Sequence, residues 1–404
     1  MITSKEELSA WLRLSLTHGV GNETMRRLMA AFGLPEAVFT QSSSTLRQVV
    51  SAAQALALQQ EPEGLQTLLD DTWEWLQTPA GSKVQRSIVT LGDKEYPSAL
   101  LQMPDPPMML YAIGQTDWLA KLEATSCIAV VGSRNPTPQG EHNAKAFAQV
   151  LSSAGLTVVS GMALGVDGAA HQGALAGAAP EALATIAVVG TGLDRVYPKH
   201  HLQLAHQIAQ RGLILSEYPL GTPPLNANFP KRNRIISGLS QATLVVEAAL
   251  KSGSLITAKQ SLEQGKEVLA IPGSIHSTQS KGCHALIKQG AKLVESAQDV
   301  LEELRVPDPF KSSQNPSTEE KESALTPEAQ LLACMGFDPV GLDALQARCG
   351  LDTASLQTQL LTLELAGRIG RLPGGLFQRL AKACGKPALK PQRPRFRRLG
   401  HRLF

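Results

Sequence analysis

The chain has 404 residues, enough for two or three domains that each bury a core. Hydrophobic residues make up 43% of it and charged residues 18%, a balance that favours neither a disordered chain nor a membrane protein. No apolar run approaches the ~20 residues that span a bilayer, and the start lacks the apolar stretch of a signal peptide, so we expect a cytoplasmic protein without a membrane span. The five cysteines show neither CxxC nor metal-type spacing, which fits a reducing compartment and predicts no metal site.

The net charge of +3 depends on one end of the chain. The segment from Lys386 to Phe404 holds seven lysines and arginines and no acidic residue, and the remainder has 31 basic and 35 acidic residues. Bulk charge therefore does not argue for nucleic acid, and any such site must be local. The segment itself is either a solvated end or an electrostatic arm for nucleic acid.

The first 82 residues are predicted to form a helical domain of the SAM or helix-hairpin-helix type. Leu8, Trp11 and Leu12 form one helical stripe, and a second amphipathic helix follows Gly19-Val20-Gly21. In a helix-hairpin-helix, the hairpin N–H groups can contact a nucleic-acid phosphate. A tight turn in a small bundle is the alternative, because the hairpin contains no lysine or arginine.

Short apolar strands alternate with helices from residue 83 to residue 305. The predicted strands are Ser87–Leu91, Met108–Ile113, Ile128–Val131, Leu156–Ser160, Thr185–Val189, Leu213–Ser216, Ala242–Val246 and Glu267–Ala270. This alternation predicts an α/β fold, an extended Rossmann-like core whose mostly parallel sheet is covered by helices on both faces. Ligands bind such sheets outside the carboxyl ends of the strands.

The rest of the chain divides into three predicted parts. Residues 306–324 are rich in Pro, Ser and charge and are predicted to be a linker. Residues 325–380 have the outline of three helices and a hairpin, which predicts a winged-helix-like domain. Its third helix carries Gln357, Gln359 and Glu364 but no basic residue before Arg368, so protein contact or packing is at least as good an interpretation as binding to duplex DNA. Residues 381–404 are the basic tail.

Four glycine-containing loops follow predicted strands. They are Gly132-Ser133-Arg134, Ser160-Gly161, Gly190-Thr191-Gly192 and Gly253-Ser254. Glycine lets a backbone approach a ligand closely, and the free N–H groups at a helix start attract anions. Four such loops at one sheet edge predict a groove for a ligand with several phosphates in succession.

A basic segment with one aromatic residue lies between the third and fourth loops. It contains Phe229, Lys231, Arg232, Asn233 and Arg234. Basic residues can follow a phosphodiester backbone, and an aromatic ring offers a face on which a base can stack. The alternative is a solvated charge run with Phe229 as an ordinary core residue.

Seven strings in the region from about 85 to 300 together resemble the DNA-processing protein A family (DprA, also called Smf). They are VVGSRNPTPQG, SGMALGVDGAAHQGAL, VVGTGLDRVYP, LSEYPLG, FPKRNRIISGLS, SGSLITAKQSLEQGKEVLAIPG and KGCHALIKQGAKLV. Two departures, Ser237 where alanine is common and His284 where asparagine is common, do not touch the predicted groove.

The resemblance implies a protein of natural transformation that binds single-stranded DNA, protects incoming strands and loads the recombinase RecA. It implies a homodimer, no cofactor and no catalysis. Carried over by position, Gly132, Ser133 and Arg134 would hold phosphates together with Ser160 and Gly161. Lys231, Arg232, Asn233 and Arg234 would line the same basic pocket, Phe229 would be a stacking contact, and Gly253 and Ser254 would close the phosphate loop. Self-association and RecA contact would use the region from Leu244 to Ile275.

An enzyme is the alternative class of function. Asp167 and His171 are four residues apart on one predicted helix and would suit an acid–base pair, although such pairs more often hold a loop in place. Nucleoside monophosphate phosphoribohydrolases of the LOG type resemble the SGSLITAKQ region but carry a catalytic glutamate in PGGxGTxxE. Here the segment from Ile271 to Ile275 supplies no such glutamate, and no GxxxxGK[ST] loop is present. We therefore predict no enzymatic activity.

Overall fold

The structure is a computed structural model that describes residues 2–124, 127–306 and 327–380. The predicted basic tail lies outside these ranges, as does the predicted linker apart from residue 306. Within the described ranges, no helix is both long enough and apolar enough to cross a membrane.

Six helices form the N-terminal part of the chain. They are α1 (Lys5–Leu16), α2 (Asn22–Phe32), α3 (Pro35–Phe39), α4 (Ser43–Leu46), α5 (Ala52–Gln59) and α6 (Leu65–Gln77). Ser4 caps α1 by accepting a hydrogen bond from the Glu7 N–H, and the predicted stripe of Leu8, Trp11 and Leu12 is buried. These helices share one hydrophobic cluster with the central sheet, where the rings of Trp75 and Tyr111 lie 6.3 Å apart.

A nine-stranded sheet forms the centre of the molecule. Its strands are β1 (Gln85–Thr90), β2 (Met109–Gly114), β3 (Cys127–Val131), β4 (Thr157–Ser160), β5 (Thr185–Val189), β6 (Leu213–Ser216), β7 (Ala242–Val245), β8 (Glu267–Ala270) and β9 (Lys292–Leu293). Their order is β1-β2-β6-β5-β4-β3-β7-β8-β9. The pairs β1–β2 and β2–β6 are antiparallel, and the other pairs are parallel.

Helices cover both faces of this sheet. They are α7 (Ser98–Leu101), α8 (Pro138–Ser153), α9 (Val166–Gly177), α10 (Leu202–Arg211), α11 (Asn228–Leu239), α12 (Ser254–Glu263), α13 (Lys281–Lys288) and α14 (Ala297–Glu303), with 3-10 helices at Thr116–Ala124, Lys199–His201 and Thr278–Ser280. The continuous apolar runs of β3, β4 and β5 are buried at every position, as expected for strands covered on both faces. The predicted mostly parallel, Rossmann-like core is confirmed.

The C-terminal part is a separate small cluster. It contains α15 (Pro327–Met335), β10 (Val340–Gly341), α16 (Leu342–Cys349), α17 (Thr353–Leu365), β11 (Ile369–Leu372) and β12 (Leu376–Arg379). The three strands form a sheet in the order β10-β12-β11 over their own buried core. This arrangement is the predicted winged helix. Its β11 strand touches the core at Gly370, where an added Cβ would lie 2.5 Å from Cβ of Pro138.

Candidate nucleic-acid interface

The four glycine-containing loops lie at one edge of the sheet. The strands β5, β4, β3 and β7 are neighbours and run parallel, so their carboxyl ends lie side by side. We call this the carboxyl edge and define it by the loops that follow these four strands. It is the edge at which open α/β sheets bind ligands.

Four backbone N–H groups of the first two loops are already used within the protein. Ser133 N–H donates to the Glu247 carbonyl (2.7 Å) and Asn135 N–H to Oγ of Ser133 (3.1 Å). Thr137 N–H donates to a carboxylate oxygen of Glu247 (2.9 Å). In the second loop, Ala163 N–H donates to a carboxylate oxygen of Asp167 (3.2 Å). The loops before α8 and α9 thus each hold a carboxylate of the protein, and these particular N–H groups are not free for a ligand. That the two loops bind phosphate stays a prediction.

The start of α12 is more open. Gly253 is its exposed N-cap residue, no side chain caps the helix there, and no atom lies within 4 Å of where a Cβ would be. Ser254 is buried, and its hydroxyl lies 2.7 Å from that of Ser252. The exposed Lys251 precedes this turn. An anion can therefore approach Gly253 at the positive end of the α12 dipole.

Arg232 is a buried structural cation rather than a free one. Its side chain is 5% exposed, and its Nη1 donates to the carbonyls of Gly161 (2.6 Å) and Val188. Gly161 is required here because a Cβ would lie 2.1 Å from Nη2 of Arg232. Asn233 accepts a hydrogen bond from Arg232 Nε (3.0 Å), and its own amide reaches the Gly253 carbonyl (3.4 Å). Arg232 thus ties α11 to the ends of β4 and β5.

Asp167 is the acidic partner of Arg232, at 4.0 Å from its Nη2. Burial lowers the pKa of Arg232 to about 10 and raises the pKa of Asp167, in each case against the attraction of the other. Loss of hydration outweighs attraction at this separation. Arg232 still carries its charge near neutral pH, but burial and its internal partners keep that charge from a ligand, so its surroundings do not support the predicted groove role.

The side chains of Arg234 and Ser160 also bind partners within the protein. The guanidinium of Arg234 pairs with Asp105 (3.2 Å) and with Glu217, on the side of α11 away from Arg232. Asn22 of α2 donates to the same Glu217 oxygen (2.9 Å), so this network holds the N-terminal helices. Ser160 is fully buried, and its hydroxyl donates to the Val130 carbonyl (2.7 Å).

Arg134 is the exposed cation of the first loop. It has no ion-pair partner among the described residues, and its guanidinium carbon lies 5.4 Å from the centre of the Phe229 ring. Gly132 precedes it at a point where a Cβ would meet Val166 at 2.7 Å, so the loop packs tightly beneath the arginine. Phe229 is half-buried, lies against Gly190, and has the ring of Tyr197 5.7 Å away.

Tyr197 is the residue that the sequence analysis missed. Its side chain is 46% exposed beside Phe229. The signal was present in the string VYPKH, where an aromatic residue precedes two basic or titratable ones, but without the fold nothing placed it next to Phe229. The exposed Lys199 follows it two residues later.

Lys231 is exposed on the first turn of α11. At about 100° per residue, it lies on the opposite side of this helix from Phe229 and Asn233. The structure thus brings together Arg134, Phe229, Asn233 and Gly253 and leaves Lys231 on the far side of α11.

Asp167 and His171 do not form an accessible acid–base pair. His171 is fully buried on α9, where its Nδ1 lies 2.7 Å from the hydroxyl of Thr185. The Thr185 hydroxyl donates its only hydrogen to the Val158 carbonyl (2.6 Å), so its oxygen must accept a hydrogen bond from the Nδ1–H of His171. Burial lowers the pKa of His171 to about 3, with His201 and Arg232 acting in the same direction. The imidazole is therefore a neutral part of the core.

A doubly covered, mostly parallel sheet with an exposed arginine and an open helix N-terminus at its carboxyl edge defines a Rossmann-like protein suited to phosphate-bearing ligands. Residues 87–305 match the family model of DNA recombination-mediator protein A, and residues 315–375 match that of the DprA winged helix domain. The chain belongs to the DprA family, as its motifs predicted.

Three relatives show how far the similarity extends. The chain is 38% identical to protein Smf of Escherichia coli strain K12 over 384 residues, covering 93% of this chain and 96% of that protein. It is similar to the X-ray structure of DNA processing protein A from Streptococcus pneumoniae, with a TM-score of 0.61 and 35% identity over 75% of this chain and 99% of that one. A structure on the single-stranded DNA binding mode of the Helicobacter pylori protein matches at 33% identity and a TM-score of 0.48, over 54% of this chain and 96% of that one.

Proposed function

We propose that this protein binds single-stranded DNA across the carboxyl edge of its sheet during natural transformation. The observation that carries the proposal is the position of Arg134. It is exposed, makes no salt bridge among the described residues, and is held over an aromatic ring at the ligand-binding edge. A permanently charged, planar guanidinium group in that position is suited to a phosphodiester group.

Two features favour an unpaired strand over a duplex. Aromatic surface at the carboxyl edge can be used only by a base whose face is free, and bases inside a duplex are stacked on each other. The third helix of the winged helix, α17, exposes Leu361 (51%) and Leu365 (82%) rather than lysine or arginine. A helix that reads a DNA groove needs polar or basic contacts to bases and phosphates.

The bound phosphates would be held mainly by side-chain charge and by one helix start. Arg134 would take one phosphate, and Gly253 with Lys251 would take another at the start of α12. Gly132, Ser133, Gly161 and Ser254 would shape the backbone around these positions, and Lys231 would add charge from the far side of α11. We propose no direct DNA contact for Arg232, Arg234 or Ser160.

In natural transformation, such a protein would protect incoming strands and load RecA, without catalysing a reaction and without a cofactor. We propose that it does so as a homodimer. The region from Leu244 to Ile275, which the family resemblance assigns to self-association and RecA contact, exposes large apolar side chains. These are Leu250 (64%), Ile256 (39%), Leu262 (50%) and Ile275 (66%). We propose that these side chains supply apolar area to that contact.

The test is a titration with oligo-dT at several salt concentrations, with duplex DNA of the same length as the comparison. We expect binding to oligo-dT to be tighter, and log affinity to fall with log salt by about 0.7 per phosphate neutralised. An affinity that does not change between low and moderate salt contradicts the proposed binding mode. Incubation with nucleoside monophosphates tests the rival LOG-type activity, and robust release of free base would favour the enzyme.

A further inference from the structure

We propose that Tyr197 is a base-stacking residue, so that the carboxyl edge binds nucleobases as well as phosphates. This inference rests on the proposed binding of single-stranded DNA and assigns a second chemical group of the ligand to a particular side chain. It starts from the contacts of Phe229, the residue that the sequence singled out as the stacking contact.

Phe229 has little free surface for a base. The Arg134 guanidinium lies over its ring at 5.4 Å, and an added Cβ on Gly190 would lie 3.2 Å from its Cδ1. The ring of Tyr197 lies 5.7 Å away at an interplanar angle of 35°. Since these two rings are in contact, as the usual 4.5–7 Å centroid range indicates, a base cannot enter between them without moving one of them. Phe229 therefore packs against Arg134 and Tyr197 and holds them in place, and it is not itself the stacking surface for a base.

Tyr197 has the accessible aromatic surface. Its side chain is 46% exposed although one side is held by Phe229. A ring that is fixed on one side and free on the other can stack a base without first losing much conformational freedom. Its hydroxyl has no hydrogen-bond partner among the described residues and is free to donate to a base or a phosphate.

The charges around Tyr197 suit the same ligand. Arg134 contacts the same Phe229 ring that Tyr197 packs against, and the exposed Lys199 follows on the chain without an acidic partner in the described ranges. Aromatic rings between cations are how sequence-tolerant proteins hold a single strand. A nucleotide, or two adjacent ones, can place a phosphate on Arg134 and a base on Tyr197.

The first experiment compares oligo-dT with an oligomer of the same length that carries abasic sites, for wild type, Tyr197→Ala, Tyr197→Leu and Tyr197→Phe. Alanine substitution at stacking residues costs ~1–3 kcal/mol per base, which converts to a loss of roughly 5- to 150-fold for oligo-dT. The abasic oligomer should bind wild type and Tyr197→Ala equally. Tyr197→Phe should keep most of the affinity and Tyr197→Leu should not, because only the former has a ring face.

A spectroscopic measurement separates stacking from a general change of the fold. An oligomer with 2-aminopurine at single positions should lose fluorescence when the base stacks on the wild-type ring. That quenching should persist in Tyr197→Phe and disappear in Tyr197→Ala and Tyr197→Leu, whose thermal unfolding midpoints should match the wild type because the side chain is half exposed.

The outcomes distinguish this inference from the proposed function. If wild type binds oligo-dT and Tyr197→Ala binds it equally well, or if Tyr197→Leu retains both affinity and quenching, stacking on Tyr197 is wrong and the phosphate site remains. If wild type does not bind oligo-dT, the proposed function itself has failed. The salt dependence should be unchanged in Tyr197→Ala, since no cation is removed, and a smaller dependence would assign Tyr197 to phosphate contact instead.

Discussion

Arg134 and Arg232 carry the same charge at the same edge of the sheet, and their surroundings give them different roles. Arg232 has two carbonyl acceptors and the carboxylate of Asp167 around it, and burial lowers its pKa to about 10. Arg134 has an aromatic ring below it and solvent above. A ligand phosphate gains far more binding free energy from Arg134 than from Arg232, because it does not have to displace a salt-bridged carboxylate from Arg134.

We expect Arg134→Ala to lower the affinity for oligo-dT by at least ~1.5 kcal/mol, roughly tenfold, the lower end for a hydrogen bond to a charged group. It should also lower the salt slope by about 0.7 if one phosphate contact is lost. The exposed Arg47 in the N-terminal part offers a control with the same charge change. Equal effects of Arg134→Ala and Arg47→Ala would mean that net charge, and not the position of Arg134, governs binding.

The lowered pKa of His171 leads us to expect a specific pH dependence of the free energy of unfolding. Its pKa is lowered to about 3 in the folded protein, so between pH 3 and its ordinary value of 6.5 the unfolded chain binds the additional proton. The free energy of unfolding should therefore fall as pH falls through this window, by at most ~1.4 kcal/mol per pH unit for one proton.

Urea unfolding of wild type and His171→Gln from pH 4 to pH 7 checks this expectation. The raised pKa of Asp167 acts in the opposite direction, since the folded protein then holds its proton more strongly, but Asp167 is present in both proteins and largely cancels in the difference. Parallel pH profiles for the two proteins would show that His171 does not contribute.

At the scale of elements, α11 shows where sequence patterns stop being informative. Three cations within four residues predicted a basic patch, and the helix distributes them in three directions. Arg232 enters the core towards Gly161, Arg234 reaches Glu217 and Asp105, and Lys231 faces solvent. Their acidic partners lie 17 to 129 residues away in sequence, so no local pattern identifies which cations are neutralised.

The adjacent residues Lys231 and Arg232 therefore offer a matched comparison of stability. Arg232→Ala leaves Asp167 buried without its partner and should lower the free energy of unfolding by ~3–5 kcal/mol. Lys231→Ala removes an exposed side chain and should change it by less than ~0.5 kcal/mol. Denaturant unfolding of both variants measures the difference, and a similar small effect for both would contradict the structural role of Arg232.

The strands show what the sequence could predict. Apolar runs located all eight longer strands of the central sheet to within two residues at each end, because burial on both faces leaves a continuous apolar signal. The two-residue β9 was missed since Lys292 and Leu293 are both exposed and give no such signal. The use of the loop N–H groups could not be predicted either, because it depends on Glu247 and on loop conformations that only the fold defines.

At the scale of the whole molecule, both flanking parts contact the core near the carboxyl edge. Asn22 and Arg26 of α2 join the Glu217 and Asp105 network that also holds α11. The winged helix places Gly370 against Pro138, four residues after Arg134. The hairpin between α1 and α2 thus uses its neighbour Asn22 for an internal contact, and its predicted contact with DNA stays a prediction.

Removing Lys386 to Phe404 separates the basic tail from the carboxyl edge. We expect the shortened protein to keep most of its affinity for oligo-dT and to show a smaller salt slope if the tail adds phosphate contacts. Titration of the full chain and the shortened chain under the same salt conditions measures both. Complete loss of binding would place the principal site in the tail.

The most direct test of the binding mode is a crystal structure of the protein with a short oligo-dT. We expect the strand to cross the ends of β5, β4, β3 and β7, with a phosphate on the Arg134 guanidinium and another near the Gly253 N–H. A strand bound elsewhere, on the winged helix or the tail, with this edge unoccupied would contradict the account.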